Sequence, residues 1–517
     1  MSRPAAPDGV RLGIVRGISY GMFGAPDSFV PEMRGLGSTL ARVYVYWGQV
    51  EPEPGRYDWT VVDAILGQLD PGDEVWVTVC SSSSWATRQP AGFLPSSPAH
   101  DVGQYERFIG ALVTRCRGRV DYWQCNNEPS NTGLLWAGTA PDYVEQLTAF
   151  HRSVRGADPQ ARTILGGCGH DVLSSPAGSG ARRFFDHVVE HGRDAFDLFS
   201  VNLYGDPHSI PDQVDEVRLM MRRHGYERPV VAGEYNGPTL FEFPEAQAEF
   251  EHAMMVEFAA AAPAAPADPV GDADSAAPAD SAAPADPGRS AGRTPDESPD
   301  RRTMRTLYER AGRLPPQLRM FMEDCPPELA AKRDRINCRQ IVTRNVLAIA
   351  AGVTRTVCWN LAPEIPGYRD RLNMMGFLFG KLALMDYADG GLTRRNASAD
   401  TFALLAAFLR GTSGVRSLGT GDRPGLYAFE VSREGRGPLH VLWARGDAFS
   451  AEDGPATVVD WPWPHGTARA VDVFGADVPI GTPRRGSADT GREGRTVRVP
   501  FSVTPLFLCA DGSGLPG

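Results

Sequence analysis

The 517-residue sequence is 42% hydrophobic, 22% charged and 9% aromatic, a globular composition with ample apolar material for one or two large folded units. A formal charge of −11, from 63 acidic and 52 basic side chains, argues against a nucleic-acid backbone or an anionic membrane surface as the main partner. No run of about 18 uncharged apolar residues occurs, and the start carries no apolar stretch ahead of a small-residue cleavage site, so a cytoplasmic chain is expected.

Along the chain, short β-branched and aromatic runs recur, each followed by a turn and then by apolar residues at helical spacing. Eight strands are predicted, at 10–17, 39–47, 74–80, 120–126, 162–168, 196–204, 228–235 and 355–361. Landmarks at the ends of the second to eighth, Trp47, Trp85, Glu128, Gly167, Tyr204, Glu234 and Trp359, lie 38, 43, 39, 37, 30 and 125 residues apart. A gap of about 40 residues is one strand, one helix and their loops, the repeat of a (β/α)8 TIM barrel.

The long last gap contains an Ala/Pro/Asp-rich stretch: residues 259 to 288 hold 14 Ala, 6 Pro and 5 Asp, with DSAAPAD repeated. Such a composition buries too little to offset its ordering entropy, so 259–306 is predicted to be a disordered insertion. A Pro- and charge-rich piece follows from 301 to 335, and the helix before strand eight is expected to resume near Asn337. After a final helix at 398–411, alternating segments separated by Gly, Pro and Asp predict a C-terminal antiparallel β-sandwich. The expected division is a catalytic barrel over 1–411 and an accessory β-sandwich over 412–517.

In a barrel of this type chemistry gathers at the C-terminal ends of the strands. Two carboxylates fall there, Glu128 in Asn126-Asn127-Glu128-Pro129 after strand four and Glu234 at the end of strand seven. Facing each other across the mouth, they suit glycosidic bond hydrolysis, one protonating the leaving oxygen and the other attacking the anomeric carbon. Glu128 as acid/base needs a raised pKa, and Glu234 as nucleophile must be held ionised by donors, for which Arg42 and Tyr204 are nominated. Trp47, Trp85, Trp136 and Trp359 lie in or beside top loops, where exposed aromatic faces carry sugar rings. Glu51 and Glu53 read as turn chemistry, and Asp206 and His208 as substrate contacts or an exposed loop.

The sequence resembles the retaining glycoside hydrolases of clan A, the 4/7 superfamily. The likeness rests on Arg42, the run Trp47-Gly48-Gln49-Val50-Glu51-Pro52-Glu53-Pro54-Gly55-Arg56-Tyr57-Asp58-Trp59, the Asn127-Glu128-Pro129 triplet, Tyr204 and Trp359. The run looks most like the β-xylosidase and α-L-iduronidase family, which also carries a C-terminal β-sandwich. The resemblance implies Glu128 as acid/base, Glu234 as nucleophile, Asn127 bonding the sugar 2-hydroxyl and Trp359 as the floor of the reactive-sugar subsite. Asn202 stands where many members carry a histidine two residues before the strand-six tyrosine, so a rewired network around the nucleophile is expected.

Other motifs carry less. Gly288-Arg289-Ser290-Ala291-Gly292 matches a nucleophile elbow but has no strand before it, and His187-Val188-Val189-Glu190-His191 matches a zinc motif but sits on an outer helix pointing away from the mouth. The eight cysteines form no CxxC pairs, and no phosphate-cradling glycine run stands at a strand-to-helix junction. No metal and no organic cofactor are expected, and a carbohydrate or glycoside is the expected partner. Transglycosylation through the same intermediate, and a non-catalytic carbohydrate-binding barrel, are the alternative readings; oligomeric state and sugar identity stay open.

Overall fold

The computed structural model describes residues 9–261, 297–364, 370–421, 423–485 and 495–510. Eight parallel strands, β1 (Arg11–Val15), β2 (Leu40–Tyr46), β3 (Glu74–Cys80), β4 (Tyr122–Cys125), β5 (Arg162–Ile164), β6 (Phe199–Leu203), β7 (Val230–Tyr235) and β8 (Arg355–Cys358), form one sheet. β1 pairs with both β2 and β8, and parallel bridges Ile164–Leu198 and Cys168–Val201 complete the β5–β6 seam. The result is a TIM-type barrel whose strands all lie within the predicted segments.

Alternation along each strand separates two interiors. Val43, Val45, Val75, Val77, Val79, Trp123 and Cys125 face outward into the core shared with the helices. The intervening Arg42, Tyr44, Trp76, Thr78 and Gln124 face the barrel axis, where Arg42 Nε donates to Thr78 Oγ1 at 3.1 Å and Trp76 Nε1 to Gln124 Oε1 at 2.8 Å. A polar axis is tolerated because its buried groups partner one another.

The outer helices start where their caps dictate. Asp101 accepts from the backbone of Gly103 and Gln104 to open the helix Val102–Cys116, which buries Tyr105, Phe108, Ile109, Leu112 and Val113 along one face. Thr139 and Asp142 form a capping box at the start of Ala140–Ala157. No helix among the described residues is long and apolar enough to cross a membrane.

The C-terminal part builds two antiparallel sheets, one of five strands and one of three. Ala428, Leu442, Val459, Trp461, Trp463, Val499 and Phe501 fill the space between them. The opposite face of the five-stranded sheet, with Phe429, Val431, Val441, Trp443 and Phe507, belongs to the same apolar cluster as the barrel. Phe507 stacks on Phe408 of the barrel's last helix, Ala397–Leu409, with centroids 4.2 Å apart. Barrel and β-rich part form one compact unit together.

A second unit comprises 240–330 and 369–381. Within it the helices Pro244–Ala261 and Pro299–Glu309 meet, Glu257 pairs with Arg302 at 3.3 Å, and Phe250 stacks on Phe377 at 5.8 Å. This corrects the expectation of disorder out to 306. Ser298 caps the backbone of Arg301, Pro299 occupies the first turn, and Thr303, Met304 and Leu307 are buried. The repeat-rich core of the predicted insertion, 262–296, and the nucleophile-elbow match at 288–292 lie outside the described residues. The helix before β8 begins at Pro327, ten residues ahead of the expected Asn337, and runs to Ala350. An unpredicted hairpin, Met385–Ala388 with Gly391–Arg395, turns on Asp389 and Gly390, both at positive φ.

Candidate active site

Glu234 lies next to the end of β7, where its carboxylate collects four donors. Arg42 Nη1 at 3.1 Å, Tyr44 OH at 2.8 Å and Asn127 Nδ2 at 3.1 Å reach Oε1, while Tyr204 OH reaches Oε2 at 3.0 Å. Arg42 is fully buried; its Nη1 also donates to Gly233 O, its Nε to Thr78, and its Nη2 to Tyr44, Gln124 and Asn127. Gly233 must be glycine for this: a Cβ there would stand 2.5 Å from Ser200 Oγ and 3.3 Å from Arg42 Nη1. Burial first, with Glu234's charge adding to it, pushes the Tyr44 and Tyr204 phenols well above their ordinary pKa, so both donate.

Glu128 follows β4 on a turn in which Asn126 and Glu128 itself adopt positive φ, 54° and 43°. Non-glycine residues enter this region at a cost and are held there by their surroundings. Here Asn126 Oδ1 accepts from Ser81 N at 2.9 Å, tying the turn to the end of β3. Among the described residues Glu128 Oε1 accepts one side-chain hydrogen bond, from Asn202 Nδ2 at 2.6 Å. Burial foremost, then the charge of Glu234, raise its pKa to about 8, against the opposing bond from Asn202. The two carboxylates thus occupy opposed environments, one crowded by donors and one nearly without them.

Arg42, Asn127, Tyr204 and Glu234 come together, and Asn202 lies with them. Asn202, however, donates to Glu128; β6 and β7 place it in register with Glu234, but its amide turns to the other carboxylate. Trp359, just past β8, is 9% exposed, and its buried indole N–H has no hydrogen-bond partner among the described residues. Trp47 and Trp136 are fully buried and present no free face. Trp47 stacks on Phe108 at 5.3 Å and donates to Glu51 Oε2 at 2.8 Å, so its indole fastens the loop instead of receiving a ligand. Trp85 is half-buried, edge-on to Trp47, with its indole nitrogen bonded to Glu51 O at 2.9 Å.

Glu51 also accepts from Gly55 N at 2.7 Å, the turn role expected of it. His208 accepts from Trp443 Nε1 at 3.1 Å and its Nδ1 lies 3.1 Å from Asp206, which pairs with Arg445 at 2.9 Å. These two residues therefore dock the β6 loop on the C-terminal sheet. His187 and His191 lie on the outer helix Gly180–His191, and no metal-ligating group of three side chains occurs among the described residues. Sequence reasoning missed Tyr44 and Gln124, although both sit at even spacing from Arg42 or Asn126 on their strands, the spacing that turns them to the axis. It also missed Asp171, which only the β5 loop brings near Glu128.

No protein-family model and no curated protein matches the chain. Solved structures share its fold. A family 39 glycoside hydrolase from the gut symbiont Bacteroides cellulosilyticus WH2 aligns with TM-score 0.58 at 13% identity, covering 98% of this chain and 81% of that one. A glucosidase from Croceicoccus marinus gives TM-score 0.53 at 15% identity over 98% and 96%, and a monomeric beta-xylosidase from Caulobacter crescentus CB15 gives 0.51 at 15% over 98% and 97%. The chain thus has the fold of solved glycoside hydrolases over nearly its whole length, barrel and C-terminal sheets together.

Proposed function

We propose that the protein is a glycosidase that hydrolyses an O-glycosidic bond with retention of configuration. One observation carries the reading: two glutamates at the C-terminal ends of β4 and β7, one fixed by four donors and the other biased toward its protonated form. Glu234, oriented by Arg42, Tyr44, Asn127 and Tyr204, attacks the anomeric carbon while Glu128 gives its proton to the departing oxygen. Water then attacks the glycosyl ester, its proton passing to Glu128 and the ester electron pair returning to Glu234. Asn127 bonds the sugar 2-hydroxyl and Trp359 offers its ring and indole N–H to the same sugar. Neither step calls for a metal or an organic cofactor.

The test uses a panel of aryl α- and β-glycosides with wild type, Glu128→Ala and Glu234→Ala. The expected outcome is nitrophenol release by wild type, its loss in Glu234→Ala, and rescue of that variant by azide with a glycosyl azide of inverted configuration. Wild-type turnover by Glu234→Ala overturns the reading.

A further inference from the structure

The loop after β5 brings a third carboxylate to the acid/base. Asp171 lies in the helical turn His170–Leu173, directly after Gly169. A Cβ on Gly169 would stand 2.5 Å from Asp171 Oδ1 and 2.9 Å from Glu128 Oε1, so those oxygens are at most about 5.4 Å apart, the two lengths combined. Asp171 is half-buried. Burial holds its own carboxyl above the ordinary aspartate range, opposed by the nearby Ser130 hydroxyl and by backbone N–H groups.

The titratable and polar groups that face Glu128 among the described residues are Glu234 from β7, Asn202 from β6, Asp171 from the β5 loop and Arg42 from β2, with Tyr204 and Cys168 near. Glu234 and Asp171 favour the protonated acid, while Asn202 and Arg42 oppose it. The balance changes during the proposed cycle. Once Glu234 is esterified to the sugar its charge is gone, but Arg42 remains positive. Glu128 must nevertheless take a proton from water in that state, and a weaker base there slows the second step.

Resting on the glycosidase reading above, we infer that Asp171 is a positioning residue that keeps Glu128 an effective base in the second step, by a negative charge that outlasts ester formation. In that step the water oxygen bonds the anomeric carbon, the carbon–Glu234 oxygen bond breaks with its electron pair returning to Glu234, and the water proton goes to Glu128.

The experiment compares full-length wild type, Asp171→Asn, Asp171→Ala and Glu234→Ala on the aryl glycoside that wild type turns over fastest. Asp171→Asn is expected to lower kcat about tenfold. KM should fall with it, leaving kcat/KM nearly unchanged. A burst of one nitrophenol per enzyme and a glycosyl-enzyme visible by intact mass should appear. Azide, an anion that needs no base, should restore its turnover. The basic limb of its kcat/KM profile should move to lower pH. Asp171→Ala should show the same split if Asp171→Asn does not fold. Equal losses in kcat and kcat/KM, without burst, azide rescue or limb shift, mean a structural role and overturn the inference. No nitrophenol from wild type, or full activity in Glu234→Ala, instead overturns the glycosidase reading beneath it.

Discussion

At the scale of single residues, the site is defined by contrast between two side chains of the same type. Glu234 carries an ion pair and three neutral donors; Glu128 carries one amide and sits against Glu234's charge. Ionising Glu128 in the folded state therefore costs free energy. Because its pKa rises from 4.5 to about 8 on folding, the native state binds more protons than the unfolded chain between those values, and this residue's contribution to stability falls as pH rises through them. Glu128→Gln is predicted to stabilise the protein at pH 8 and above by about 1–3 kcal/mol while sharply reducing turnover, measurable by chemical denaturation against pH. Tyr204→Phe removes one oriented donor from Glu234 and is expected to lower kcat about 10²–10³-fold, checked by steady-state kinetics with circular dichroism as the folding control. Arg42 and Tyr204 could be nominated from strand-end positions alone. The burial of Trp47 and Trp136 could not, because an indole in a top loop looks the same in sequence whether it meets a sugar or Phe108.

At the scale of elements, the two ends of the barrel have different tasks. At the bottom, Glu74 at the start of β3 pairs with Arg355 of β8 at 3.0 Å and with Arg11 of β1 at 3.3 Å, binding strands far apart in sequence. Glu74→Ala leaves two cations without their buried partner and is predicted to cost about 3–5 kcal/mol of stability. Its kcat should stay within about twofold, since this end of the barrel lies away from the mouth where chemistry gathers; thermal unfolding and kinetics on one preparation test both. Some elements were legible but overlooked. Asp389-Gly390 is the chemistry of a two-residue hairpin turn, and Ser298-Pro299 that of a helix start. In the second case the Ala/Pro/Asp composition just upstream outweighed a short amphipathic signal whose partners lie in a helix some 50 residues earlier and in the short helix Met374–Phe379, some 70 residues later.

At the scale of the whole molecule, the C-terminal sheets are not a detachable module. Their five-stranded sheet is buried on both faces, by the second sheet on one and by the barrel's last helix on the other. Removing 412–517 would strip the cover from Phe408, which stacks on Phe507, and from Thr401, which donates to Val473 O, and the remaining barrel is predicted to aggregate or to show rapid amide exchange in the helix Ala397–Leu409. Expression of residues 1–411 with hydrogen-exchange mass spectrometry tests this, and a soluble barrel with wild-type exchange contradicts it.

The sequence by itself determined the eight strand positions, the β texture of the C-terminal part and the two glutamates at strand ends, because apolar runs, period-two alternation and turn residues are local properties of the chain. Only the tertiary structure decided which donors reach which carboxylate, that Asn202 serves Glu128, that Asp171 approaches it, and that barrel and sheets share a core. Each of these joins residues between about 30 and 190 positions apart. Charge and burial at such a site arise from side chains that meet only when the barrel closes.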